Sequence, residues 1–302
     1  MTLVIAAKAA CFPSQLEDRI SKGFRAVEII TFEDQLRHSF ESIQKILRNY
    51  SDSLEFTSIH TPSELTISEA IDEDYRKRGL SCLEKVVRLA AETDCKHVVF
   101  HAFQSIPKLR KIYEMNSLRD RAFQKCVEGI QSLICLCEDL AVTLCLENIN
   151  ACIHHNQLLY LIFSASPNDL LRVVKEVNSD LLRLCFDVAH AQNTCNVIMQ
   201  NPEMKAFFNI DKLTPEGFCE LVIDHTDLIH LSDSKDTIAG KGTDNLPLGE
   251  GEIDFRKVLK PILAKEFSPI VLEMDESDVN NAINMVKSRE FLSRIIADLR
   301  SR

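Results

Sequence analysis

The chain has 302 residues, 45% of them hydrophobic and 26% charged, the balance of a globular protein long enough for one large core. Its 45 acidic against 35 basic residues leave a formal charge of −10, so the overall field repels polyanions and makes nucleic acid an unfavourable partner. No run reaches the roughly 18 apolar residues of a membrane span, and MTLVIAAK lacks the basic start and apolar length of a secretory signal; a cytoplasmic protein without membrane attachment is expected.

In chain order, eight short β-rich runs recur: LVIAA (3–7), AVEIIT (26–31), LEFTSIH (54–60), HVVFHAF (97–103), VTLCLEN (142–148), LRLCFD (182–187), DLIHLSD (227–233) and PIVLEMD (269–275). Between them lie stretches of helical period, among them FEDQLRHSFESIQKILRNY, DYRKRGLSCLEKVVRLAAET and DRAFQKCVEGIQSLICLCEDL, with a last helix from about Asp278 to Leu299. Gly23 reads as a helix stop, and Ser166-Pro167-Asn168-Asp169 as a helix start. Strict alternation argues for parallel pairing, and eight units argue for an α/β fold closed into a single (β/α)₈ TIM barrel over residues 1–302. An open doubly wound sheet would usually carry a glycine-rich turn after its first strand, and KAACFPSQ has no glycine. The eleven cysteines are odd in number and scattered over apolar positions, as expected of reduced core thiols. Cys135 and Cys137 form a C-x-C inside a helical pattern with no partner cluster, so packing is expected there rather than metal.

In a barrel the carboxyl ends of the strands share one face, where chemistry belongs. Those ends carry Glu28, His60, His101, Glu147, Asp187, His230 with Asp233, and Glu273. Glu28 has an alternative reading as a salt-bridging acid and His60 as a core histidine, while His154 and His155 read as solvated loop residues. Glu147, Asp187, His230 and Glu273 would place three carboxylates around one point, and such charges stay ionised together only with a cation between them. Oxygen donors with one imidazole suit Mn²⁺, Mg²⁺, Co²⁺, Fe²⁺ or Zn²⁺. His190 follows Asp187 by one turn and faces the same pocket. Four of the eight glycines, Gly240, Gly242, Gly249 and Gly251, fall after the seventh strand in SDSKDTIAGKGTDNLPLGEGEIDF, read as an ordered loop shaping the site.

The pieces GFRAVEI, SIHTP, VVFHAF, LCLENIN, CFDVAHA, IHLSD, LPLGEGEIDF and VLEMD occur in the order seen in the xylose-isomerase-like barrel superfamily, which the chain resembles from about residue 23 to 275. That superfamily holds sugar isomerases and epimerases, inosose dehydratases, hydroxypyruvate isomerases and the endonuclease IV type of DNA-repair enzyme. The resemblance implies Glu147, Asp187, His230 and Glu273 as metal ligands. In the endonuclease branch, residues matching His60 and His101 join Glu147 at a further ion, and His190 joins an Asp-x-His from the loop at a third. Here that triplet falls on Thr243, Asp244 and Asn245, so both loop ligands are lost. The resemblance therefore favours a metal-dependent isomerase or epimerase of a small sugar or polyol, working by proton transfer through an enediolate. Glu147 and Glu273 act in it as ligands and acid/base groups, and His190 hydrogen-bonds a substrate oxygen. His60, His101, Asp233 and Lys235 are candidates for substrate binding or a second ion. Many ketose epimerases carry an arginine shortly after the strand-seven histidine, where this chain offers Lys235. A phosphodiesterase on abasic DNA and a non-catalytic sugar-binding barrel are the alternatives, and homo-oligomerisation is left open.

Overall fold

The computed structural model describes residues 3–105, 116–150, 153–154, 157–158, 160–161, 163–200, 202–210, 213–235, 243–265 and 269–301. Eight strands form a closed, all-parallel ring in chain order: β1 Ile5–Ala10, β2 Ala26–Ile30, β3 Glu55–His60, β4 His97–His101, β5 Thr143–Glu147, β6 Leu182–Asp187, β7 Thr226–Leu231 and β8 Ile270–Leu272. Closure is made by β8 on β1, with Ile5 opposite Ile270 and Ala7 opposite Leu272. Helices on the outside connect successive strands, as right-handed parallel crossovers require. No helix among the described residues is long and apolar enough to cross a membrane.

Side chains alternate along each strand. One set, including Ala7, Val27, Leu144, Phe186, Ile229 and Leu272, joins the large core between strands and helices. The other set lies inside the ring in two small groups: Ala6, Ala26 and Val271, and Val99, Cys145, Cys185 and Leu228. Two residues further along each strand, on the same inward face, stand Lys8, Glu28 and Glu273, then His101, Glu147, Asp187 and His230. An apolar floor thus carries a polar ring directly above it, and the period of two alone sets that arrangement.

Several boundaries depart from the sequence expectation. The first strand runs to Ala10 instead of stopping at residue 7, so Lys8 sits within it. FEDQLRHSFESIQKILRNY divides at Ser39 into the helices Glu33–His38 and Phe40–Tyr50. The last helix starts at Ile283 and not at residue 278: Asp278 accepts from the Asn280 amide in a turn, and the Glu276 carboxylate takes the Asn284 and Met285 amides at the helix start. Gly23 adopts φ +79° at the helix stop, and the Ser166 hydroxyl caps the helix Pro167–Val177 by accepting from the Asp169 amide. The described cysteines are free, Cys135 exposed and the others buried.

Candidate metal centre

At the carboxyl ends of the strands, ligand atoms of Glu147, Asp187, His230 and Glu273 all lie within 4.8 Å of one another. Their order follows from register: Asp187 on β6 stands opposite His230 on β7, while His101 on β4 stands opposite Glu147 on β5. Glu147, Asp187 and His230 are buried, and Glu273 lies just beyond the end of β8 with its side chain 12% exposed.

His230 is held from behind. Its Nε2 lies 3.0 Å from Oε2 of Glu28, which also accepts from the Ser58 hydroxyl at 2.5 Å. Glu28 is inside β2 rather than at its end, and the carboxylate fixes the ring with a proton on Nε2. Nδ1 then points inward, 2.7 Å from Oε2 of Glu273 and 3.3 Å from Oε1 of Glu147. Despite that proximity, Nδ1 of His230 and Oε2 of Glu273 have no aligned hydrogen bond, and both are buried. Two orphaned donor atoms facing one point, with two further carboxylates around it, make a donor set that could hold a divalent cation.

Electrostatics describes the same balance without a cation. Burial works against the charge of Glu147, yet the His230 and His101 charges outweigh it and hold Glu147 well below the usual carboxylate range. Glu273 is also held low, with burial opposed chiefly by Lys8 and His230. Asp187 is pushed up to about 7 by burial, only partly relieved by His190 and reinforced by Glu147 and Glu273. Burial disfavours the imidazolium of His190, but Asp187 and Glu147 raise it to about 10. Protons here occupy the place a metal would take.

His60 and His101 both direct Nε2 at Oε2 of Glu147, each at 3.0 Å. Nδ1 of His60 lies 2.6 Å from the Thr61 carbonyl and so carries a proton, leaving Nε2 and the carboxylate to share a second proton or a second ion. His190 directs its Nδ1 at the Asn148 carbonyl at 2.9 Å, and the same atom lies 3.4 Å from Oε1 of Glu147 and 3.7 Å from Oδ1 of Asp187. Asn148, which sequence reasoning passed over, also ties down Asp187 by donating to its carbonyl and accepting from its amide, both at 2.8 Å.

Lys8 was likewise missed. Its ammonium pairs with Oε1 of Glu273, and burial, which would discharge it, is outweighed by Glu273, Glu28 and Glu147.

Asp233 does not join the cluster. Its carboxylate accepts from four backbone amides, those of Ser234, Gly249, Gly251 and Ile253, at 2.9 to 3.2 Å, and so organises the loop. The short strand Asp233–Lys235 pairs antiparallel with Thr243–Leu246, and Lys235 is exposed at its end. Gly240, Gly242 and His155 lie outside the described residues, and His154 lies on the short strand Ile153–His154. Asp244 accepts from the Asn150 amide nitrogen at 3.1 Å.

Comparison with known proteins agrees with this architecture. An uncharacterized protein of Methanocaldococcus jannaschii is 26% identical over 238 residues, 79% of this chain and 69% of that one. The crystal structure of a D-tagatose 3-epimerase-like protein superposes with a TM-score of 0.69 at 20% identity, covering 98% of both chains. The IOLI protein with a bound zinc atom superposes with a TM-score of 0.65 at 16% identity, again over 98% of both. The profile of the xylose isomerase-like TIM barrel matches residues 20–295, and the chain belongs to that family.

Proposed function

We propose that the protein is a divalent-metal-dependent isomerase or epimerase of a small sugar or polyol. The observation that carries this reading is the pair of orphaned buried atoms, His230 Nδ1 and Glu273 Oε2, set among the carboxylates of Glu147 and Asp187. The zinc in the IOLI protein and the epimerase likeness of a second neighbour support it. Held by Glu147, Asp187, His230 and Glu273, a divalent cation would polarise a carbonyl and adjacent hydroxyl and so acidify the C–H between them.

The remaining work falls to this chain's own side chains. Glu147 and Glu273 take and return the carbon-bound proton through an enediolate, one from each side. Glu147 is surrounded by four imidazoles, those of His60, His101, His190 and His230, whereas Glu273 is the more exposed of the two and keeps Lys8 as counter-ion. His190 hydrogen-bonds a substrate oxygen. The apolar floor of Val99, Cys145, Cys185 and Leu228 closes the ring beneath and keeps the charges poorly solvated.

The test combines metal content with isotope exchange. Metal-loaded protein incubated in D₂O with a panel of ketoses and their phosphates is expected to hold one ion per chain and to place deuterium on a substrate carbon. Three ions with cleavage of an abasic-site oligonucleotide would replace this reading by the phosphodiesterase.

A further inference from the structure

A cleft of about 200 Å³ opens beside the centre, between the ends of β8, β1 and β2. Lys8 forms part of its wall and pairs with Glu273, so the cleft lies one side chain away from the proposed ligands. Whole-ligand sites measure roughly 300–1,000 Å³, so this space takes one end of a ligand whose other end reacts.

The polar groups on its wall differ in what they have left to offer. Arg19 is committed: it donates to the carbonyls of Lys8 and Val279 and pairs with Asp18. Lys8 is matched by Glu273. Glu276 holds the Asn284 and Met285 amides at the start of the helix Ile283–Arg300. Loops after the last strands of a barrel, with a helix N-terminus beside them, are a frequent phosphate seat in this architecture, and here the chain's own carboxylate fills that place. Two groups keep free bonding capacity. Gln15, 7% exposed, accepts from the Ala10 amide through Oε1 at 2.8 Å, while its Nε2 makes no hydrogen bond among the described residues. Asp275, two residues beyond Glu273, is exposed, and among the described residues no hydrogen bond or ion pair engages its carboxylate.

The open partners are therefore an amide donor and a carboxylate acceptor, a pair that suits hydroxyls, which accept and donate at once. A phosphate ester brings a charge of about −1.5 to −2. It would meet Asp275 and Glu276 while both nearby cations are already neutralised. We infer that the cleft holds the unreacting end of the substrate through its hydroxyls, with Gln15 and Asp275 as specificity-determining residues that select a neutral sugar or polyol over its phosphate ester. This inference rests on the isomerase reading for the reacting end, while the selection itself is tested by binding alone.

Two methionines, Met274 and Met285, line the cleft and report on it. In zinc-loaded protein labelled with ¹³C at the methionine methyls, their signals, assigned through Met274→Leu and Met285→Leu, are followed while a panel of ketoses and polyols, and then their phosphate esters, is added. Free compounds are expected to shift both signals and saturate, binding about tenfold or more tightly than the matching esters. Asp275→Asn removes the repelling charge and is expected to bring that ratio to about parity, and Asp275→Lys to reverse it. Gln15→Glu keeps an acceptor for the Ala10 amide but loses the donor, and should weaken binding of the free compounds about fivefold. Signals that no compound moves, esters bound as tightly as free compounds by the wild type, or a ratio that Asp275→Asn leaves unchanged each overturn the proposal. Selective binding with no deuterium in any bound compound would overturn the isomerase reading and leave the cleft assignment standing. Deuterium placed only in phosphate esters would do the reverse.

Discussion

Lys8 and Glu273 meet where the eighth strand closes on the first, 265 residues apart in sequence, with the ammonium on Oε1 while Oε2 faces Nδ1 of His230. One carboxylate is thereby divided between a fixed cation and the proposed ion. Lys8→Met removes the counter-ion and frees the carboxylate to turn. Deuterium incorporation into substrate carbon is expected to fall by about tenfold or more, with Lys8→Arg retaining most of it. Equal rates in all three proteins would separate Lys8 from the chemistry.

Glu147→Gln and Glu273→Gln should each lower turnover by about 10² or more, the usual scale of general acid–base catalysis. Glutamine keeps an oxygen for the ion but does not carry the proton. The informative comparison is the loss of rate against the loss of bound metal, measured by mass spectrometry on the same samples. If rate falls only in proportion to metal, the two glutamates are ligands alone.

Glu28→Gln acts at one remove, through the ring of His230. With the carboxylate replaced, the proton on Nε2 loses its charged acceptor and the imidazole its fixed orientation. Metal affinity should drop by about 10 to 100-fold, the usual effect of such partners. Competition against a zinc-sensitive dye reads it directly, and an unchanged affinity would argue that the Glu28 contact is packing only.

The pH dependence of the metal-free protein follows from Asp187. Its carboxyl is raised from 3.8 to about 7 in the fold, chiefly by burial. Unfolding therefore releases a proton between those values, and stability falls as pH rises through that window, with the full deficit present above 7. Asp187→Asn cannot ionise, so under chelator the variant should gain thermal stability at pH 8 and gain little at pH 4. Added Zn²⁺ should reverse the ranking, because only the wild type keeps the full ligand set. Parallel melting profiles across pH would contradict the assignment.

Asp233 gives a structural prediction. Replacing it with Ala strands four backbone donors, and a loss of about 2–4 kcal/mol in denaturant unfolding is expected. Gly251→Ala should mimic it, since a Cβ there would stand 2.3 Å from Oδ1 of Asp233 and 2.4 Å from the Ser234 carbonyl.

The ring of strands was legible because each carries its own β-rich run between helical patterns, Glu147 and Asp187 because each stands at or next to the end of such a run, and His230 because an imidazole interrupts the apolar part of DLIHLSD. Lys8 and Glu28 were harder to place. A lone lysine in LVIAAKAA ends an apolar run to the eye, although two residues after the inward Ala6 is the position that reaches the centre. Glu28 lies two residues after Ala26 by the same rule, inside its strand. Asp233 misled in the opposite direction: a carboxylate just past a strand end reads as a site residue, and only the fold of the distant Gly249–Ile253 segment shows which donors claim it.

Ring closure by β8 also sets a sequence of events during synthesis. Glu147, Asp187 and His230 leave the ribosome well before Glu273, so a nascent chain ending ahead of residue 269 carries three of the four donors on an open sheet. Its β1 and β7 edges would still be unpaired, and Lys8 would lack its partner. If the four residues hold an ion as proposed, its complete capture would be a late event, confined to chains whose two ends have met.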